Sequence, residues 1–388
     1  MKSLAWIAAG LMLTVQAGGA HAEALRPSDD QTVLATVAAR PAGAADIPAN
    51  PAPNPQDLEG AIAAARKAIE MGRANSDPRS YGEAEATLSP WWNLAEPPAE
   101  VRILRAVIRQ ANHEFTSATA DLDAILNAAP RNAQALLSRA FLRLVTGDIA
   151  GAVSDCRALP PAAGALIRGI CTARAAALSG QADKGRALLE RVLARDSRSG
   201  DAMRLFGAAV LADISIGLGR NSAAGALFEA AIKMPKPDVS LLSAYADFLL
   251  DAGEPEKVLT LLDGRGQSDA VMLRQSIAAK RLSDRRLQSW RKILNERFAA
   301  AAAAGVRVHM REEARFRLEV EDNAAAALPL AIANWKIQKE PADARLLLQS
   351  AIAAGDMAAA NDVVAYAART GLHDARLAPL LAQARDRP

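Results

Sequence analysis

Aromatic side chains are scarce in this 388-residue chain, at 4% of positions, although 51% of its residues are hydrophobic. Ala and Leu carry most of that apolar share, and both are strong helix formers. Runs of β-branched residues alternating with period two are few, so no stretch reads as a strand. The chain reads as all-α.

An excess of charge of one sign is also missing. Lys and Arg number 46 against 43 Asp and Glu, a formal net charge of +3. Nucleic-acid-binding domains are usually strongly basic, so nucleic acid is not an expected partner. Long apolar runs are absent except in one place, Leu4 to about Val15, flanked by Met1-Lys2-Ser3 and Ala20-His21-Ala22. That run is too short for the roughly 20 residues a membrane-spanning helix needs. A basic start, a short apolar core and Ala-x-Ala make a signal peptide over residues 1–22, cleaved after Ala22. No cysteine lies near the cleavage site to carry a lipid anchor. The expected location is the bacterial periplasm, with no transmembrane segment in the mature chain.

Histidine is rare too. His113, His309 and His373 remain after cleavage, and none stands in a metal-binding or catalytic-triad spacing. No G-x-S-x-G, H-E-x-x-H or phosphate loop occurs. The chain is therefore expected to be no enzyme, without catalytic, cofactor or metal site.

What the sequence does contain falls into two parts. Residues 23–56 hold Pro41, Pro48, Pro51, Pro53 and Pro55 among Ala, Gly and Asn. Proline fixes φ and removes backbone donors, so this is an extended linker. From Asp57 onward apolar residues recur at helical spacing. Leu58, Ile62, Ala65 and Ile69 share one helix face, and Ser76-Asp77-Pro78 breaks and re-caps the chain. The stretch Asn132 to Leu159 holds a complete helix–turn–helix unit, with small residues Ala140, Gly147 and Ala152 at its contacts and turn. The same slots recur as Ala106 and Ala118, as Ala173, Gly180 and Gly185, and as Ala212, Gly219 and Ala224. They return again as Ala246 and Gly253, then as Leu348, Gly355-Asp356 and Ala360.

This series resembles the tetratricopeptide repeat family, whose units of about 34 residues form two helices each. The resemblance implies a right-handed superhelical solenoid over residues 57–388, closed by a capping helix at about Asp374 to Arg385. It also implies a concave face lined by the first helix of each unit, where a protein or peptide partner docks. Units near Asp269–Ala304 and Met310–Lys339 lack the glycine turn and fit the pattern less well. The Lys and Asn clamp of carboxylate-binding family members is not recognisable, so recognition of a free C-terminus is not implied.

Five groups of residues are candidate sites. Cys156 and Cys171 are the only cysteines, and in an oxidising compartment two cysteines form a natural disulfide pair. The repeat alignment puts them on adjacent helices across Leu159-Pro160-Pro161. Either they are bonded, or the helical offset leaves two buried thiols. Arg105 and Arg109, with Arg102, lie on one helix face, and Arg139 and Arg143 follow 34 residues later in the next unit. These arginines either form a strip that binds an acidic segment or pair with Asp121, Asp123 and Asp155. Ile103, Val107, Leu137, Phe141 and Ile170 fall at concave positions, and either meet a partner or pack in the core.

The cluster Lys280-Arg281, Arg285-Arg286 and Arg291-Lys292, with Leu282, Leu287 and Trp290, is either a partner surface or a solvated face with an apolar underside. Trp91-Trp92 either anchors a partner or covers the first unit. The functional expectation is a non-catalytic scaffold that binds a partner segment on the concave face. A periplasmic chaperone that holds unfolded clients is the alternative. Neither the partner's identity nor an oligomeric state can be read from the residues.

Overall fold

The computed structural model describes residues 54–305 and 309–385, so the expected leader and nearly all of the proline-rich stretch lie outside the described residues. From Leu58 the chain runs as successive helical hairpins. The first is α1 (Leu58–Asn75) with α2 (Pro78–Thr87), followed by a short α3 (Ser89–Trp92). Next come α4 (Ala99–Ala111) with α5 (Phe115–Ala128), α6 (Ala133–Thr146) with α7 (Ile149–Ala158), and α8 (Ala165–Ala177) with α9 (Ala182–Arg195). Then follow α10 (Asp201–Gly217) with α11 (Asn221–Ala231), α12 (Val239–Asp251) with α13 (Pro255–Leu262), and α14 (Asp269–Arg281) with α15 (Leu287–Ala303). The last are α16 (Met310–Glu319) with α17 (Ala324–Ile337) and α18 (Pro341–Ala354) with α19 (Asn361–Thr370), closed by α20 (Ala378–Arg385). No strand occurs among the described residues. The fold is an all-α solenoid of tetratricopeptide-like hairpins.

Local chemistry sets the helix ends. Asp57, Asp77, Asn132, Asp148, Asp238 and Asn323 each accept a backbone N–H of the first turn of the helix they precede. Such caps satisfy donors that have no partner within the helix. Each hairpin then turns through one residue in the left-handed region. Glycine holds that place at Gly147, Gly180, Gly219, Gly253 and Gly355, while Ser76, His113, Ser283 and Asp322 hold it in the other four. The units that departed from the glycine pattern therefore keep the turn geometry. They bear a strain of about 1 kcal/mol that glycine avoids.

The small residues sit where two helices meet. Ala118, Ala140, Ala152, Ala173, Ala212, Ala224 and Ala246 are fully buried. At Gly185 a methyl group would lie 2.7 Å from the Ala173 carbonyl oxygen, so α8 and α9 could not approach as they do.

The expected curved ribbon is closed rather than open. One continuous apolar core contains Ala118, Leu136, Ala140 and Leu178 together with Trp335, Leu347, Tyr366 and Leu377. Backbone contacts seal this closure. Lys339 N–H donates to Val145 O at 2.7 Å, and Ala375 N–H donates to Gly217 O at 2.8 Å. Gly180 meets the backbone of Gly371 so closely that a Cβ there would stand 2.9 Å from its oxygen. Residues 339–376 thus cover the turn ends of hairpins α6/α7, α8/α9 and α10/α11.

Candidate functional site

The four arginines of the strip face inward, each onto an aspartate of its own hairpin. Arg105 forks onto Asp121, Nε to Oδ2 at 2.9 Å and Nη2 to Oδ1 at 2.5 Å, and Arg109 Nη1 reaches Oδ2 at 2.7 Å. Thirty-four residues on, the constellation repeats. Arg139 forks onto Asp155 at 3.0 and 2.6 Å, and Arg143 Nη1 reaches the same carboxylate at 2.7 Å. Arg139 Nη1 also donates to Asp123 at 2.6 Å, linking the two hairpins. The hydrogen bond to Asp155 holds the Arg139 pKa above its ordinary value, against burial. The side chains of Asp121 and Asp155 are almost wholly buried. Of the two readings of this strip, the structure has the ion pairs. A ligand carboxylate would have to displace them, so the strip is not an open basic surface.

The apolar candidates divide. Ile103 and Ile170 are buried core residues, whereas Val107, Leu137 and Phe141 are half-buried on the first-helix face. Phe141 packs edge-on against Phe206 of α10, with ring centroids 5.9 Å apart. Arg174 of α8 also lies over the Phe141 ring, 5.6 Å from its centroid. Phe206 is 40% exposed, and among the described residues only Leu94 is a comparably open large apolar side chain. The repeat pattern missed Phe206 because its slot at the start of α10 is not one of the conserved-size positions that define the repeat.

Further along the inner face lies a cavity of about 230 Å³ between α10, α12, α14, α16 and α18. Its floor is apolar, with Ile216, Phe248 and Leu346, and its walls are charged. Asp247 accepts from Arg274 at 2.5 Å and from Arg315 at 2.6 Å. Arg345 forks onto Asp251 at 2.6 and 2.8 Å. Arg376 bridges Asp213 and Asp374 at 2.9 and 2.5 Å. Arg311 forks onto Asp343 and also reaches Glu340, which in turn receives Arg174. Burial disfavours the charge on Arg315, but Asp247 and Glu319 outweigh it and raise the pKa. Burial likewise opposes the charge of Asp247, and the two arginines lower its pKa nonetheless. These walls are charge-balanced and fixed.

Cys156 and Cys171 are disulfide-bonded, with Cα atoms 5.5 Å apart, and tie α7 to α8. Trp91 is buried beneath the first hairpins, while Trp92 lies under Arg109 at 5.6 Å. In the basic cluster, Lys280 pairs with Asp322, Arg286 with Asp284 and Arg291 with Glu321. His113 occupies the α4/α5 turn, where Gln338 Nε2 donates to its ring at 3.2 Å and burial pushes its pKa down to about 4. No helix among the described residues is long and apolar enough to cross a membrane.

No family model matches the chain, and no curated protein is significantly similar to it. Among solved structures it is similar to a tetratricopeptide repeat protein from Parabacteroides merdae ATCC 43184, at 14% identity and a TM-score of 0.40, over 65% of this chain and 98% of that one. It is also similar to a chain of the anaphase-promoting-complex hetero-tetramer Cut9–Hcn1, at 11% identity and a TM-score of 0.49, over 85% of this chain and 64% of that one. The tetratricopeptide domain of P58(IPK) matches at 14% identity and a TM-score of 0.21, over 85% and 98%. At these levels the fold assignment rests on the hairpins and turns of the chain itself.

Proposed function

We propose that this chain is a non-catalytic protein-interaction scaffold of the bacterial periplasm, delivered there by the leader over residues 1–22. A partner segment docks on the first-helix face of α6, α8 and α10, where Phe141 and Phe206 provide its anchor. The carrying observation is the aromatic pair itself: Phe206 stays 40% exposed, and among the described residues only Leu94 is a comparably open large apolar side chain. Exposed aromatics that bury on association are frequent energetic centres of protein interfaces. The arginines of α4 and α6 are excluded from this role because internal aspartates already hold them.

Capture from a periplasmic extract tests the reading. The wild-type chain should retain one saturable partner, and Phe206→Asp should lose it with unchanged thermal stability. Retention of the same proteins by both forms would reject the aromatic site. Suppression of aggregation of unrelated proteins, without a saturable partner, would point instead to a chaperone. Fractionation should find the chain in the periplasm with residues 1–22 removed.

A further inference from the structure

Charge is unevenly distributed along the chain. Residues 131–198 hold eleven Lys and Arg against five Asp and Glu, a net +6, while the whole chain carries only +3. Every one of those five carboxylates is already engaged: Asp148 and Asp155 with Arg143, Asp183 with Arg220, Glu190 with Arg186, and Asp196 with Ser199 and Arg204. Arg131, Arg157, Arg168, Arg191, Arg195 and Arg198 are exposed and have no partner among the described residues.

The topology gathers these six on one edge. First helices run one way and second helices the other, so the end of α7, the start of α8, the end of α9 and the loops at residues 129–132 and 196–200 share an edge. That is the edge opposite the turns covered by residues 339–376. The disulfide Cys156–Cys171 brings Arg157 and Arg168 to either side of one fixed point. Gly169 packs against Val192, so α8 and α9 approach closely where they carry Arg168 and Arg191. Within residues 157–168 and 191–198 the other exposed residues are Ala158, Pro161, Ala162, Gly164, Ala165, Ala194 and Ser197. Among the described residues, the stretches 157–168 and 191–198 thus expose no aromatic or large aliphatic side chain; the exposed ones, Leu94 and Phe206, lie beyond them.

We infer that this edge adsorbs to an anionic lipid surface through headgroup phosphates. The guanidinium fork matches phosphate oxygens. Protein interfaces of useful affinity have aromatic or apolar anchors at their centre, and the described stretches that carry Arg157, Arg168, Arg191, Arg195 and Arg198 have none. Electrostatic adsorption to a bilayer needs no such anchor, and each basic side chain near the surface contributes about fivefold in affinity.

Flotation with vesicles tests the inference, using the chain lacking only residues 1–22. It should bind vesicles containing phosphatidylglycerol, ignore pure phosphatidylcholine, and be released by high salt. Arg157→Glu/Arg168→Glu/Arg191→Glu should weaken binding on the order of 100-fold or more with an unchanged circular dichroism spectrum. Arg285→Glu, an exposed arginine on the other edge, should change it by less than about fivefold. Equal binding to both lipids, or an undiminished triple variant, would overturn the inference. So would tight binding of poly-glutamate alongside weak binding of the anionic vesicles, since that would make the edge an acidic-polypeptide site. A loss with Arg285→Glu equal to that of the triple variant would overturn it as well, because net charge rather than the edge would then be responsible.

Discussion

The two sides of hairpins α6/α7 and α8/α9 use the same residue, arginine, in opposite ways. Inside, Arg139 and Arg143 converge on the buried Asp155. On the connecting edge, Arg157, Arg168, Arg191 and Arg195 meet no carboxylate at all among the described residues. The other edge of the same hairpins is different again, because the chain's own residues 339–376 cover it. An arginine here is structural when an aspartate follows it at a separation of 16 or 12 residues, as in both constellations. Where no carboxylate stands within reach, the same side chain is left for solvent and for partners.

The largest effect should come from breaking the inner side. Asp155→Ala strands two half-buried guanidiniums, and removing one partner of a buried ion pair costs about 3–5 kcal/mol. Arg157→Glu on the edge should alter stability by less than about 0.5 kcal/mol, the range of ordinary surface substitutions. Urea unfolding of the two variants measures the contrast, and equal destabilisation would erase the distinction between the sides. The disulfide carries the next effect, because it braces an edge that no other described segment covers. It closes a separation of 15 residues, so Cys156→Ser/Cys171→Ser should lose about 3 kcal/mol. Thiol labelling of the unreduced, unfolded chain should find no free cysteine.

The repeat itself was legible because helix packing demands small residues at fixed spacing. Ala118, Ala140, Ala152 and Ala173 are buried where the period put them. Alignment to adjacent helices left Cys156 and Cys171 either bonded or as two buried thiols, and the structure has the bond. The arginine rows were visible as rows, but their direction was not, since a period records which face a residue shares and not what lies opposite. The closure left no mark in the sequence. Arg345–Asp251, Arg376–Asp213 and Arg174–Glu340 join residues 94, 163 and 166 apart, and such pairs obey no period. Four turns carry no glycine to mark them, for a related reason. Ser76, His113, Ser283 and Asp322 adopt the left-handed conformation that the glycine pattern marks elsewhere. The surrounding hairpin imposes the turn at positions where the residue itself does not favour it.

Covered and bare turns offer a sharper form of the same comparison. Gly180 and Gly253 share a φ of +74°, yet a Cβ on Gly180 would strike Gly371 O at 2.9 Å while one on Gly253 meets nothing within 4 Å. Gly180→Ala should therefore cost about 2–3 kcal/mol and Gly253→Ala only about 1 kcal/mol. Similar values would mean that residues 339–376 do not press on the turn.

His113 probes the cover through protons. Its pKa falls to about 4 because burial disfavours the charged ring, against about 6.5 in an unfolded chain. The unfolded state then binds more protons between these values. The contribution is complete above pH 6.5 and is lost as pH falls toward 4, a loss of about 2 kcal/mol by pH 4.5. His113→Gln should flatten that part of the stability profile, and an unchanged slope would assign it to other groups.

The smallest effect should have the opposite sign. Ser283 turns α14 into α15 with φ +54° on an exposed stretch that nothing covers. A non-glycine residue there bears steric strain between Cβ and its own backbone, and glycine relieves it. Glycine also enlarges the freedom of the unfolded chain, which offsets part of the gain. Ser283→Gly should therefore stabilise by about 0.5 kcal/mol, a small rise in melting temperature. His113→Gly at the covered α4/α5 turn relieves the same strain but deletes the ring held by Gln338 at 3.2 Å. It should destabilise. If both substitutions stabilise alike, the Gln338 contact contributes nothing, and a covered turn differs from a bare one only in its exposure.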